Sequence, residues 1–173
     1  TFPTSGKTWI YDAVSEGWSE FLEWDTQWRR HRSNCAIYAF GRQLIGDFEN
    51  GKLYELSPNV YANGSAVQRA LRASAYVHNS QEMLTIGSFE VVCEPGVGTT
   101  TGQGSDPQMM LRVSKDGANT WTGEMMRPIG VKGEFRDRAR FLRPVGNGRS
   151  FVFEVSITDP VKRVLTAGVI NGN

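Results

Sequence analysis

Arg149-Ser150-Phe151-Val152-Phe153-Glu154-Val155-Ser156-Ile157 restricts the fold more than any other stretch of the chain. Phe151, Phe153, Val155 and Ile157 recur at period two, with Glu154 and Ser156 on the opposite side, a pattern that suits a half-buried strand and no helix. Gly146-Asn147-Gly148 turns the chain into this run and Asp159-Pro160 breaks it, after which Val161 to Ile170 reads as a last apolar strand. Burying the four inward side chains contributes about 1.5–3 kcal/mol each before the entropy of ordering is charged against it.

The same period recurs upstream. Met109, Leu111 and Val113 share one face, Asp116-Gly117 is a strong turn signal, and alternation resumes at Trp121 with Gly123, Met125 and Ile129, which together predict a β-hairpin. Phe89, Val91 and Cys93 form another inward set, with Glu90 and Glu94 pointing away. Val67, Leu71, Ala73, Ala75 and Val77 are expected on one face of a long extended segment with Arg69 in register, leaving Gln68, Arg72 and Ser74 on the other. One-sided burial of this kind belongs to an antiparallel sandwich. Gly supplies 19 of 173 residues and Asn-Gly or Asp-Gly turns recur, so the chain is expected to be all-β.

Nearer the start, Trp9-Ile10-Tyr11-Asp12, a short spacer and Gly17-Trp18 look like consecutive strands of a propeller blade. Trp18, Phe21, Leu22, Asp25 and Trp28 also fall at helical spacing behind a Ser15 cap, so a helix over 16–28 is the alternative. Cys35, Ile37 and Ala39 alternate with Ala36, Tyr38 and Phe40, which predicts a strand covered on both faces. Asn50-Gly51 then turns residues 43–48 back on Lys52 to Leu56. Ser57-Pro58-Asn59 and Asn63-Gly64-Ser65 mark a boundary. Residues 1–62 are thus expected to form a propeller-blade-like β-meander, which cannot close a propeller by itself, and residues 63–173 an antiparallel β-sandwich.

Composition narrows the chemistry. Net charge is +1 and the pI is near 7.7, so the chain lacks the broad positive field of a non-specific nucleic-acid binder. Arg29-Arg30-His31-Arg32 beside Trp18, Trp24 and Trp28 could stack and neutralise a single strand, but the cluster is short and a polar loop is the expectation. Cys35 and Cys93 have apolar neighbours and are expected to be buried free thiols. His31 and His78 stand in unrelated contexts, and no nucleophile-base or metal-ligand spacing occurs, so neither enzyme activity nor a cofactor is expected. The Gly- and Thr-rich stretch 96–108 lacks the Gly-Lys-Ser/Thr ending of a phosphate loop and reads as a flexible connection. No apolar run approaches the roughly 20 residues of a membrane-crossing helix. The chain starts at Thr1 with no initiator Met, which suggests a fragment or a processed product.

Two stretches invite a site. Ser114, Asp116, Gly117, Thr120 and Trp121 nearly reproduce the Asp box of sialidase-type propellers, Ser-x-Asp-x-Gly-x-Thr-Trp, with Ala118 where that motif has Gly; a fold-stabilising turn is expected rather than a sugar site. Between residues 127 and 149, seven Arg or Lys stand against Glu134 and Asp137, a local charge of +5 (seven minus two). A strand through Arg136, Arg138, Arg140 and Arg143 would set the first three on one exposed face, either simply solvated or able to meet an acidic partner protein or phosphates.

Taken in order, Trp9-Ile10-Tyr11-Asp12 with Trp18-Ser19-Glu20, Asn34-Cys35-Ala36-Ile37-Tyr38-Ala39-Phe40-Gly41, Gly51-Lys52-Leu53-Tyr54-Glu55-Leu56, Gly102-Gln103-Gly104-Ser105-Asp106-Pro107-Gln108, Ser114-Lys115-Asp116-Gly117 with Thr120-Trp121, and Phe153 through Lys162 resemble the C-terminal part of the packaged-DNA stabilisation proteins of short-tailed phages and prophages. That resemblance implies a tail accessory factor: a structural virion protein that helps close the portal channel after packaging and bridges to the tail. Its implied partners are other tail or portal-complex proteins, with room for a homo-oligomer around the tail axis, and neither a specific nucleic-acid sequence nor a membrane. Its implied location is the virion tail, with the bacterial host cytoplasm during assembly. No catalytic residue is implied. Arg136, Arg138, Arg140 and Arg143 are a candidate partner contact read from the basic run itself and not from the resemblance, a solvated face being the plainer expectation. The alternative is a carbohydrate-binding β module related to Asp-box glycosidases.

Overall fold

Period-two sequence produces strands throughout the computed structural model, which describes residues 1–172, and no helix occurs among the described residues. The chain divides into two units, Thr1–Gln68 and Arg69–Asn173. The first contains β1 (Trp9–Asp12), β2 (Gly17–Glu20), β3 (Leu22–Trp24), β4 (Trp28–Arg30), β5 (Ser33–Ala39), β6 (Arg42–Asp47) and β7 (Leu53–Leu56). The second contains β8 (Ala70–Ala73), β9 (Val77–His78), β10 (Leu84–Cys93), β11 (Gln108–Ser114), β12 (Met125–Pro128), β13 (Arg138–Leu142), β14 (Asn147–Gly148), β15 (Ser150–Ile157) and β16 (Leu165–Gly172). Every pairing is antiparallel.

In the second unit one sheet runs β12-β11-β15-β8, with β9 also on β15, and the other is built on β10, which pairs β13, β14 and β16. The inward side chains of the two central strands meet. Phe89 of β10 stacks on Phe153 of β15 with ring centroids 4.4 Å apart, and Phe151 packs beside Phe153 at 6.2 Å. Met109, Leu111 and Val113 from β11 and Ala139 and Phe141 from β13 complete the same buried cluster, as the alternation requires.

Three expectations for this unit are corrected. Leu111 pairs with Met125, so the hairpin of β11 and β12 is closed by residues 115–124 and Asp116-Gly117 is only the first bend of that loop. Glu154 and Ser156 are buried rather than exposed, because β15 is covered on its outer side too: Arg112, directly opposite Glu154, donates Nε–H to it at 2.9 Å, and Arg69 Nη2 lies 3.3 Å from Ser156 Oγ. Between residues 67 and 77 the chain is not one strand. Ala73 pairs with Glu154 but Val77 with Phe151, so the edge has one more residue than β15 between these pairs. This bulge inverts the parity, and Arg72, opposite Val155, takes the core-facing side while Leu71 and Ala73 turn outward.

The first unit consists of the β1-β2 and β3-β4 hairpins and the β5-β6-β7 meander. The alternative helix over 16–28 is absent; β2, β3 and β4 occupy that stretch. Asn50-Gly51 turns as expected, with Gly51 at φ +65° and Asn50 Oδ1 accepting from the Lys52 amide at 3.0 Å. The covered strand does not appear: Ile37, Tyr38 and Phe40 are exposed, and so is Cys35, leaving Cys93 as the buried free thiol. Three strands form a single layer, and Ile45 is the sole buried apolar side chain of this unit among the described residues.

The stacked pair at the centre of the second unit sets a stability expectation. Phe153→Ala should cost about 3–5 kcal/mol, read as a lower midpoint in equilibrium denaturation of the full chain. An unchanged midpoint would remove Phe153 from the core.

Candidate functional site

Because β13 sends Ala139 and Phe141 inward, Arg138, Arg140 and Leu142 must face out. Register with β10 sets Glu90 directly opposite Arg140, so one carboxylate serves both cations: Arg140 Nε is 2.8 Å from Glu90 Oε1 and Arg138 Nη1 is 3.2 Å from Oε2. The Glu90 side chain is 9% exposed, whereas those of Arg138 and Arg140 are 49% and 60% exposed. Glu90 points away from the core as its spacing requires, yet its partners cover it. Hydrogen bonds to Asp137, then to Glu90, raise the Arg138 pKa.

The four arginines singled out in the sequence are placed differently. Arg138 and Arg140 share one face. Arg136 lies before β13, where its Nη2 is 2.9 Å from Glu134, and Arg143 follows the strand at φ +44° with its amide donating to the Gly87 carbonyl at 2.9 Å. Arg127, from the same basic segment, donates Nε–H to the Arg140 carbonyl at 3.2 Å but lies on the inward side of β13, 5.9 Å over the Phe141 ring. Exposed Leu142 and Val169 lie on the same side as Arg138 and Arg140, the latter opposite Glu90 on β16. Arg138 is also 3.2 Å from Asp137 through its Nε, so its fork is occupied by two acids, and it is the exposed Arg140, bound to Glu90 through Nε alone, that keeps its Nη donors for a partner's carboxylate beside apolar neighbours.

The Asp-box-like stretch folds into a self-bonded turn. Asp116 Oδ1 accepts from the Thr120 amide at 2.8 Å and Oδ2 from the Thr120 hydroxyl at 2.6 Å, while Ser114 Oγ accepts from the Ala118 amide at 2.9 Å. Gly117 has φ +77°, a left-handed conformation that favours glycine. Ala118, standing where the Asp box has Gly, also adopts positive φ, +69°. Trp121 lies under the Arg112 guanidinium, 5.1 Å from ring centroid to Cζ, continuing the Glu154-Arg112 pair outward. These hydrogen bonds, those from Thr120 first, hold the exposed Asp116 carboxyl down to about 2.

A third cluster, in the first unit, has no signature in the sequence beyond the basic run beside it. Glu23 Oε1 accepts from Arg32 Nε at 2.6 Å and from the Arg32 amide at 3.1 Å, and Arg32 also faces Asp47 at 3.8 Å. Burial pushes the Glu23 pKa up, but the Arg32 hydrogen bonds outweigh it and the net shift is downward; burial lowers that of His31, which stacks on Phe21 at 4.0 Å. Arg29 pairs with Glu49 at 3.0 Å and Arg30 lies 3.6 Å over the Phe48 ring. The run is thus engaged within its own unit. A cavity of about 470 Å³ borders Glu23, His31, Arg32 and Tyr54. Among the described residues no His, Cys, Asp and Glu group could hold a metal ion.

In comparison with known families, residues 69–173 fit the family model described as Bacteriophage P22 Gp10, beta-sandwich. No curated protein matches the chain.

The depressed Asp116 pKa fixes the sign of a pH effect. Its contribution to stability is complete above the unfolded carboxyl pKa and is lost as pH falls through about 2. The stability difference between the wild type and Asp116→Asn should therefore be constant near neutrality and shrink between about pH 4 and pH 2. Thermal melts across that range check it, and a pH-independent difference would contradict the ionised turn.

Proposed function

The chain belongs to the bacteriophage P22 Gp10 β-sandwich family, and from that membership we propose that it is a tail accessory factor of the virion, which stabilises packaged DNA by helping to close the portal channel and by bridging to the rest of the tail. The observation that carries this reading is the extent of the match, residues 69–173, which coincides with the second unit, Arg69–Asn173. Its partners are other tail or portal-complex proteins, met in the host cytoplasm during assembly and retained in the virion. A homo-oligomer around the tail axis fits the same role. No catalytic step is assigned.

The Arg138–Arg140 face, with Arg136 and Arg143 at its ends, is the contact we assign to an acidic partner surface. The exposed Arg140 fork and the adjoining Leu142 and Val169 combine charge steering with apolar burial. Residues 1–62 are read as the end of an N-terminal propeller, a role supported by the exposed Ile37, Tyr38, Phe40 and Leu53, side chains that a neighbouring blade or domain would cover. The carbohydrate-binding alternative draws on the Asp-box-like turn, but the polar atoms of that turn are bonded to one another, and nothing in its geometry favours a sugar.

Retention of the full chain on tail particles assembled without it tests this reading. Arg138→Glu with Arg140→Glu should weaken retention by about tenfold or more, equivalent to about 1.4 kcal/mol. Retention of the wild type should also fall with added salt. Undiminished retention of the double variant would remove the arginine face. A wild-type chain that ignored the particles but bound a glycan array would replace the assembly role with the carbohydrate one.

A further inference from the structure

The sandwich of the second unit is open along one side. β8 ends one sheet and β16 the other, and neither has a second neighbour among the described residues. Between them lies a cleft of about 440 Å³ whose walls include Phe89, Val91, Phe153 and Val155, side chains of the core itself. An adjoining space of about 230 Å³ shares Arg72, Val155 and Leu165 with it and adds Arg163.

Three observations describe what would fill the cleft. Gly168 of β16 lies over the Phe89 ring, where an added Cβ would sit at 3.6 and 3.7 Å from ring atoms, an ordinary contact, so there is room above the aromatic pair. The Ser74 amide donates to the Phe153 carbonyl at 2.8 Å and the Phe153 amide to Ser74 Oγ at 3.0 Å. Antiparallel alternation then turns the main-chain groups of Arg72 toward β15 and those of Leu71 and Ala73 toward the open edge. Finally, the bulge puts Arg72 on the core-facing side, at the cleft, and no carboxylate among the described residues lies within ion-pair distance of it.

We propose that this cleft receives an extended segment of another virion protein, which adds as a strand along the free edge of β8, sets alternate apolar side chains over Phe89 and Phe153, and presents a carboxylate to Arg72. The unpaired main-chain row calls for a polypeptide, since only a strand can match its spacing. A second copy pairing through its own β8 would bring a second Arg72 to the same place, and that like-charge meeting argues for an acidic partner. An inward charge also blunts an edge against casual pairing, so the arginine admits a segment that neutralises it and rejects others. The identity of the partner rests on the virion-assembly reading; the cleft is separate from the Arg138–Arg140 face.

Hydrogen exchange of the full chain, free and bound to tail particles assembled without it, provides the test. Binding should slow exchange at Leu71 and Ala73 by about tenfold or more. Gly168→Val should fill the cleft, keep the melting temperature at or above that of the wild type, and lose retention on the particles. Arg72→Glu should lose it too, with Arg72→Lys recovering part. Normal retention with unprotected β8 amides, or undiminished retention of folded Gly168→Val, overturns the cleft proposal and leaves the assembly role standing. A wild-type chain that fails to join the particles contradicts the assembly role and this partner with it. Concentration-dependent protection of the edge in the free chain, accompanied by dimer formation, would assign it to a second copy and overturn the proposal.

Discussion

The contact of Phe89 with Phe153 is the constraint on which the second unit depends. Two rings 4.4 Å apart and nearly parallel define the separation of two sheets and the inward face of their central strands. Once Phe89 and Phe153 point in, every second residue of β10 and β15 must point out, and among those outward residues are Glu90 and Glu154. Both carboxylates lie in the middle of a sheet, where they lose water. Each is answered from the adjacent strand: Glu154 by Arg112, Glu90 by Arg138 and Arg140. The two outer faces follow one rule, a central acid under flanking arginine.

They differ in what remains for a partner. On the β15 side Arg112 is held between Glu154 and Trp121, so its charge and its flat surface are both occupied. On the β10 side Arg138 and Arg140 share Glu90, Arg138 also meets Asp137, and both guanidiniums remain largely exposed. Exposed pairs of this kind add little to stability, because water and salt screen them. Their value lies in the Nη donors that Arg140 leaves unspent, which is why the docking contact is proposed for the second face and not the first.

The first unit is stabilised differently. Its interior is a charged network, Glu23 with Arg32 and Asp47 beside His31, and its apolar side chains lie largely outside. A carboxylate in such a site is tolerated because Arg32 donates to it from both side chain and backbone, and removal of either partner would strand a buried charge. The exposed aromatic and aliphatic faces of β5 and β7 are what a blade looks like without its neighbours, which accords with the proposed propeller end.

The sequence by itself determined the class of structure and the core. Phe151, Phe153, Val155 and Ile157, with Phe89, Val91 and Cys93, were legible because strand geometry alone converts period two into two faces. The self-bonded turn at Ser114, Asp116 and Thr120 was legible for a similar reason, since its donors and acceptors are within a few residues of one another. Tertiary structure decided what depends on residues far apart in the chain. Whether Glu154 is exposed turns on Arg112, whether Arg138 and Arg140 form a pair turns on Glu90, and the side that Arg72 faces turns on one extra residue opposite β15. Spacing cannot report a partner that arrives from another strand, nor a bulge whose only trace is a change of register.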